Sequence, residues 1–136
     1  MATCSFCDIV AGRSRAHVVL DDDVAFAFLD NRPLFAGHVL LVPRAHHETL
    51  TDLPPGLVEP LFQRARALSG AVERAMAATG SFVALNNRVS QSVAHLHVHI
   101  VPRTKGDGLR GFFWPRTTYA SNDEAIDVAA RIGGEL

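Results

Sequence analysis

The chain reads as an α+β protein: an antiparallel sheet of about five strands with one long helix and short terminal helices. Two patterns carry that expectation. Short β-branched and leucine-rich runs are bounded by turn formers, and one stretch repeats apolar residues at three- and four-residue steps. Size agrees, because 136 residues with 48% hydrophobic content supply the core of one ordinary domain, taken as 1–136 with 103–136 as a loop and closing helix.

In chain order, residues 17–20 and 24–29 flank Asp21-Asp22-Asp23, an acidic run that favours a turn, so a hairpin is expected there. Asp30-Asn31-Arg32-Pro33 has loop composition, and Gly37 releases the chain into 38–43, a buried strand closed by proline. Pro54-Pro55-Gly56 stops whatever precedes it. Leu57, Leu61, Ala65, Leu68, Val72 and Met76 then mark one face of a long helix ended by Gly80. Two more strands are expected over 81–86 and 95–102, around a polar loop. Ser121-Asn122-Asp123-Glu124 has the form of a capping box and opens a helix to Ile132.

Composition excludes several classes of function. A formal charge of −1 and a 20% charged fraction do not suit a protein that coats nucleic acid or lies on a membrane surface, so no nucleic-acid polymer is expected as a partner. No apolar run approaches the roughly 20 residues of a membrane span. The amino terminus lacks the basic stretch and apolar run of a secretory signal, which points to the cytoplasm. Two cysteines in Cys4-x-x-Cys7 spacing make a poor disulfide framework; they suit metal or redox chemistry, with a plain reduced pair as the alternative.

The chemistry concentrates in His95-Leu96-His97-Val98-His99. On a strand, alternate side chains share a face, so the three histidines would line one side and Leu96, Val98 and Ile100 the other. Neighbouring imidazoles would stand roughly 6.5–7 Å apart, close enough for one nitrogen to attack a substrate while another donates to developing charge. Imidazole suits nucleophilic attack on phosphorus, splitting one hard displacement into two easier ones. A catalytic metal on all three histidines is the competing arrangement. A straight strand disfavours it, because ligands at about 2.0–2.1 Å could not all be reached.

The segment from Gln91 to Pro102, with the triple histidine at its centre, resembles the signature of the histidine triad family. Cys4-x-x-Cys7-Asp8-Ile9-Val10-Ala11-Gly12, Ala27-Phe28-Leu29-Asp30 and Gly37-His38-Val39-Leu40-Leu41-Val42-Pro43-Arg44-Ala45-His46 are similar to the other blocks of that family, in the same order. The resemblance implies a homodimeric nucleotide hydrolase or nucleotidyl transferase acting on a purine nucleotide, either a nucleoside phosphoramidate or a dinucleoside polyphosphate. His97 would attack the α-phosphate and form a nucleotidyl-histidine, His99 would assist the leaving group, and His38 and His95 would complete the catalytic set. Asp30 would hold the ribose hydroxyls, Asn86, Gln91 and Ser92 the phosphate, and Ile9, Val10 and Phe28 the base. A nucleotide-binding or partner-binding module with weak turnover is the alternative.

No cofactor is implied for catalysis. The Cys-x-x-Cys block implies a structural zinc on Cys4, Cys7, His46 and His95, with His47 as the alternative to His46. Asn87-Arg88-Val89-Ser90 departs from the resemblance, because it lacks the glycine that the phosphate loop of the family usually carries; a different loop geometry is expected there. In the segment 105–116, glycines, basic residues and adjacent aromatics are expected to fold over the active site or the partner subunit, with Arg110 or Arg116 meeting distal phosphates. The competing arrangement has the aromatics closing the core.

Overall fold

The computed structural model describes residues 3–110 and 116–136. Helix α1 (Ser5–Val10) is followed by strands β1 (Val18–Asp21), β2 (Ala25–Leu29) and β3 (Val39–Pro43). A 3₁₀ turn (Leu50–Asp52) leads into the long helix α2 (Pro55–Ala75), and β4 (Gly80–Ala84), β5 (Val98–Arg103) and α3 (Asn122–Gly134) complete the order. The five strands form one antiparallel sheet in the order β1-β2-β3-β5-β4. Among the described residues no helix is long and apolar enough to cross a membrane.

The period of two along the strands divides the core into two layers. Ala25, Ala27, Val39, Leu41, Val98 and Ile100 pack against Leu61, Ala65, Leu68 and Val72 of α2. Phe26, Phe28, Leu40 and Val42 turn to the opposite face and pack against Phe6 of α1. In register, His99 pairs with Leu40 and with Ala84, which puts it on the face away from α2. Both hands of the expected hairpin are present, and Asp22 caps its turn by accepting the Val24 and Ala25 amides, both at 2.9 Å.

Three boundaries differ from the sequence expectation. Helix α2 stops at Ala75, short of Gly80. Ala77 takes a left-handed φ of 52°, and the Ala78 amide bonds the Glu73 carbonyl at 2.9 Å, so an alanine fills the place glycine usually takes in such a helix end. Gly80 instead opens β4, which ends at Ala84 rather than at residue 86. The strand expected over 95–102 begins only at Val98. Continuing the Leu41–Val98 register would set Leu96 opposite Pro43, which has no amide to donate. The Pro43 carbonyl is already taken by the His95 ring at 2.9 Å, and the Leu96 amide turns to the His47 carbonyl at 2.7 Å.

Candidate functional site

The early end of β5 separates the three histidines. His97 and His99 line a cavity of about 780 Å³ between α1, β2 and the segment before β5, their ring centroids 5.0 Å apart. His95 is fully buried and turns its ring toward Cys4 and Cys7 instead. The face expected from alternation holds for His97 and His99, with Leu96, Val98 and Ile100 on the α2 side, although the ladder begins only at Val98; His95 departs from it by turning its ring to the thiols rather than into the cavity.

Backbone partners assign a tautomer to each ring. The Leu34 amide donates to His38 Nδ1 at 3.1 Å, so the His38 proton sits on Nε2. That Nε2–H donates to His99 Nδ1 at 3.0 Å, which leaves the His99 proton on Nε2. His97 Nδ1–H donates to the His95 carbonyl at 2.7 Å, so its Nε2 carries the bare lone pair. No buried side-chain nitrogen among the described residues lacks a hydrogen-bond partner, and none of the described residues bonds His97 Nε2, so that atom opens to the cavity. One wall thus offers a lone pair and, beside it, a donor.

Burial favours the neutral form of His99 and His38. Removal from water, followed by the neighbouring His97 and His38, lowers His99 to about 4. His38 is lowered by burial as well, against the opposing pull of the Asp30 carboxylate. Asp30 lines the cavity; its Oδ1 accepts the Arg32 amide at 2.9 Å, and its Oδ2 lies 3.7 Å from His38 Nε2.

Of the residues the resemblance assigns to a base, Ile9 and Phe28 line this cavity, whereas Val10 lines a neighbouring one and packs on the Phe6 cluster. Of those assigned to phosphate, Ser92 lines it. Asn86 and Gln91 do not, because their side chains brace the loop. Asn86 Nδ2 donates to the Ser90 carbonyl at 3.3 Å, and Gln91 spans the Arg88 amide at 2.9 Å and the Glu48 carbonyl at 2.6 Å. The loop solves its lack of glycine with left-handed Arg88 (φ 67°) and Ser90 (φ 60°), each a conformation that costs an L-residue roughly 1–2 kcal/mol. Arg110 and Arg116 border residues 111–115, which lie outside the described residues, as do the aromatics expected to cover the site; neither arginine lines the cavity.

Two groups of side chains have metal-ligand spacing, and their tautomers separate them. The ligand atoms of Cys4, Cys7, His46 and His95 lie within 4.8 Å of one another. Cys4 Sγ is 3.4 Å and Cys7 Sγ 3.5 Å from His95 Nδ1, and Cys7 Sγ is 3.3 Å from His46 Nδ1. A zinc tetrahedron with bonds of about 2.3 Å to sulfur and 2.0–2.1 Å to nitrogen has S···N edges of about 3.6 Å, so the donor set fits. His95 Nε2–H is spent on the Pro43 carbonyl, which leaves Nδ1 bare for an ion. Burial first, then Cys4 beside it, pushes the Cys7 thiol up to about 11, so a cation beside it would be needed to favour the thiolate at neutral pH. His46 occupies the corner and His47 does not. Asp30, His38 and His99 form the second group. Its His38 Nε2 is protonated because the Leu34 amide holds Nδ1, so the group is a hydrogen-bonded chain rather than a set of bare donor atoms.

Sequence reasoning missed Phe6, whose ring stands edge-on to His97 at 5.0 Å and 88°. Its only signal was an aromatic between the two cysteines.

The HIT domain family profile matches residues 11–106. A curated relative, adenylylsulfatase HINT3 of Arabidopsis thaliana, is 33% identical over 108 residues, which are 78% of this chain; the chain spans about half that protein's length, 55%. Among solved structures, a HIT-family member from Bacillus subtilis superposes with a TM-score of 0.87 at 28% identity, covering 99% of this chain and 98% of that one. A Zn-bound histidine triad family protein from Mycobacterium smegmatis has a TM-score of 0.75 at 29% identity, with 98% of each chain covered. With a profile match over most of its length and a fold shared from end to end, the chain belongs to the HIT domain family.

Proposed function

We propose that the protein is a nucleotide hydrolase or nucleotidyl transferase that cleaves a nucleoside phosphoramidate or dinucleoside polyphosphate at the α-phosphate. The observation that carries this reading is the bare Nε2 of His97, aimed into a cavity while Nδ1–H is anchored on a backbone carbonyl. The lone pair forms a bond to phosphorus as the bond to the leaving group breaks. The resulting imidazolium keeps its Nδ1–H on the His95 carbonyl, and His99 Nε2–H is placed to donate to the departing atom. Water or another acceptor then displaces His97 and resolves the nucleotidyl-histidine.

Phe28 and Ile9 would sandwich the base, and Asp30 would accept from the ribose hydroxyls. A closed zinc on Cys4, Cys7, His46 and His95 is part of the proposal: it ties α1 to the sheet, and no step of the reaction passes through it. Two copies per molecule are proposed as well, supported by α3, which buries none of its own residues and exposes Ile126 and Ile132; a light-scattering mass of one chain would remove that element.

The test is AMP release from adenosine 5′-phosphoramidate and from a diadenosine polyphosphate by wild type and His97→Ala. Turnover by wild type, lost in the variant and unchanged by magnesium chelation, is the expected result. A folded wild type that binds AMP but turns over neither substrate would overturn it in favour of a binding module.

A further inference from the structure

The ion-binding corner and the nucleophile meet in one peptide unit. His95 offers three groups to four partners: Nδ1 to the two thiols, Nε2–H to the Pro43 carbonyl, and its own carbonyl to His97 Nδ1–H. The peptide plane that carries this carbonyl ends in the Leu96 amide, which donates to the His47 carbonyl at 2.7 Å, one residue from the ligand His46. The plane that aims His97 is therefore held at both ends by the corner.

A second route is independent of that peptide. Phe6 lies on α1 between Cys4, whose sulfur caps the helix by accepting the Cys7 amide at 3.4 Å, and Cys7 itself. Its ring stands edge-on to His97 at 5.0 Å, to His95 at 6.1 Å and to Phe28 at 5.4 Å. Helix α1 has six residues, too few to hold their own geometry, so the contacts of its cysteines decide where Phe6 sits. Without an ion, those contacts are thiol–imidazole bonds at 3.3–3.5 Å, in which a thiol is only a weak donor, so they hold α1 and Phe6 less firmly than bonds to a metal would.

We propose that the Cys4–Cys7–His46–His95 corner is a positioning device for the nucleophile, so that a tetrahedral divalent ion held there sets the aim of His97 and loss of the ion slows the chemical step without unfolding the chain. His95 and Phe6 are positioning residues in this scheme, acting on the reacting atoms only through His97. The inference rests on His97 being the nucleophile. Its consequence is selective: a misaimed ring lowers kcat, whereas the apolar cavity wall and Asp30, which bind the nucleoside, keep KM close to its value.

The test compares zinc-loaded protein with protein stripped by a chelator and with stripped protein reloaded with Zn²⁺. Two readouts are taken: kcat and KM on adenosine 5′-phosphoramidate, and the imidazole ¹H–¹⁵N signals of the resting protein. Outer-shell partners of this kind typically cost 10- to 100-fold when lost, so kcat should fall about 10- to 100-fold with KM within about threefold. In the same sample the His97 Nδ1–H signal should lose its slow exchange, and Zn²⁺ should restore both. Stripped protein with an unchanged His97 signal and unchanged kcat would sink the inference, as would a chain that takes up no zinc.

Should stripping melt the chain, Phe6→Leu, which keeps all four ligands, replaces it. That variant should retain zinc and loosen the His97 signal, with a several-fold loss in kcat; a wild-type signal there refutes the second route. If loaded wild type shows no turnover while its His97 signal still follows zinc, the reaction assignment fails and the positioning device stands.

Discussion

The relay from Leu34 to His99 can be cut at either of its joints, because the two nitrogens of His38 do different work. His38 is 3% exposed, accepts the Leu34 amide through Nδ1 at 3.1 Å and donates to His99 through Nε2 at 3.0 Å. In His38→Asn the amide oxygen falls near the place of Nδ1 and nothing reaches His99. In His38→Gln the amide nitrogen falls near the place of Nε2, and the Leu34 amide is orphaned. Leu34 is itself 53% exposed and water can partly replace its lost acceptor, so His38→Gln should lose roughly 1 kcal/mol of stability, or about 3–5 °C in Tm for a chain of this size. Its His99 keeps a donor on Nδ1, hence the productive tautomer, and kcat on adenosine 5′-phosphoramidate should stay within about tenfold of wild type. His38→Asn should behave in reverse. Its Tm should fall less, but loss of the group that presets the His99 donor should cost about 100-fold in kcat, the scale seen when one preorganised donor is removed. Thermal melts and AMP release on the two proteins decide the matter. Equal losses of kcat in both, or the larger kcat loss in the Gln protein, would refute the tautomer assignment.

Acid should destabilise the fold through the same rings. His99 is lowered to about 4 from 6.5 and His38 is lowered too, so the unfolded chain binds more protons than the folded one between those values, and stability falls as pH drops through that window. The urea midpoint should be lower at pH 5.0 than at pH 7.5, and less so in His99→Phe; equal wild-type midpoints would contradict the shifts. The paired carboxylates Asp22 and Asp107 are lowered as well, but their contribution is lost only at more acid pH. Gly37 enters β3 at φ 94°, and a Cβ there would stand 2.6 Å from Met76 Cγ. Gly37→Ala should cost about 1–3 kcal/mol by urea unfolding, and adding Met76→Ala should return the part due to the clash but not the part due to the backbone. A Gly37→Ala protein as stable as wild type would contradict the strained turn.

Side-chain periodicity made much of the fold legible. The apolar steps of α2 and the alternation in β2 and β3 are physical requirements of burial, and the buried faces of Leu61, Ala65, Leu68 and Val72 follow them. The same rule read His97 and His99 correctly against Leu96, Val98 and Ile100, and misread the strand's start and the aim of His95. What ended the ladder was a missing amide at Pro43, opposite a residue some fifty positions away, and pairing of that range leaves no local trace. Backbone partners were equally hidden. The Leu34 amide and the carbonyls of Pro43 and His95 decide which nitrogen of His38, His95 and His97 is bare, yet any residue type could have supplied them. Glycine frequency misplaced the end of α2, because Ala77 accepts a left-handed conformation that propensity reserves for Gly80.

The cavity wall is assembled from pieces that are remote along the chain. His38 meets His99 across 61 residues, and Cys4 meets His95 across 91. Closing such separations carries its entropic cost early and is repaid only when β3 and β5 zip at the centre of the sheet. The β1–β2 hairpin and α2 can form from neighbours in sequence, but neither contains the imidazole pair that lines the cavity. Competence should therefore arrive late in refolding, together with protection of the β3–β5 amides, and a nascent chain still lacking β5 would hold Asp30 and His38 with nothing for them to act upon.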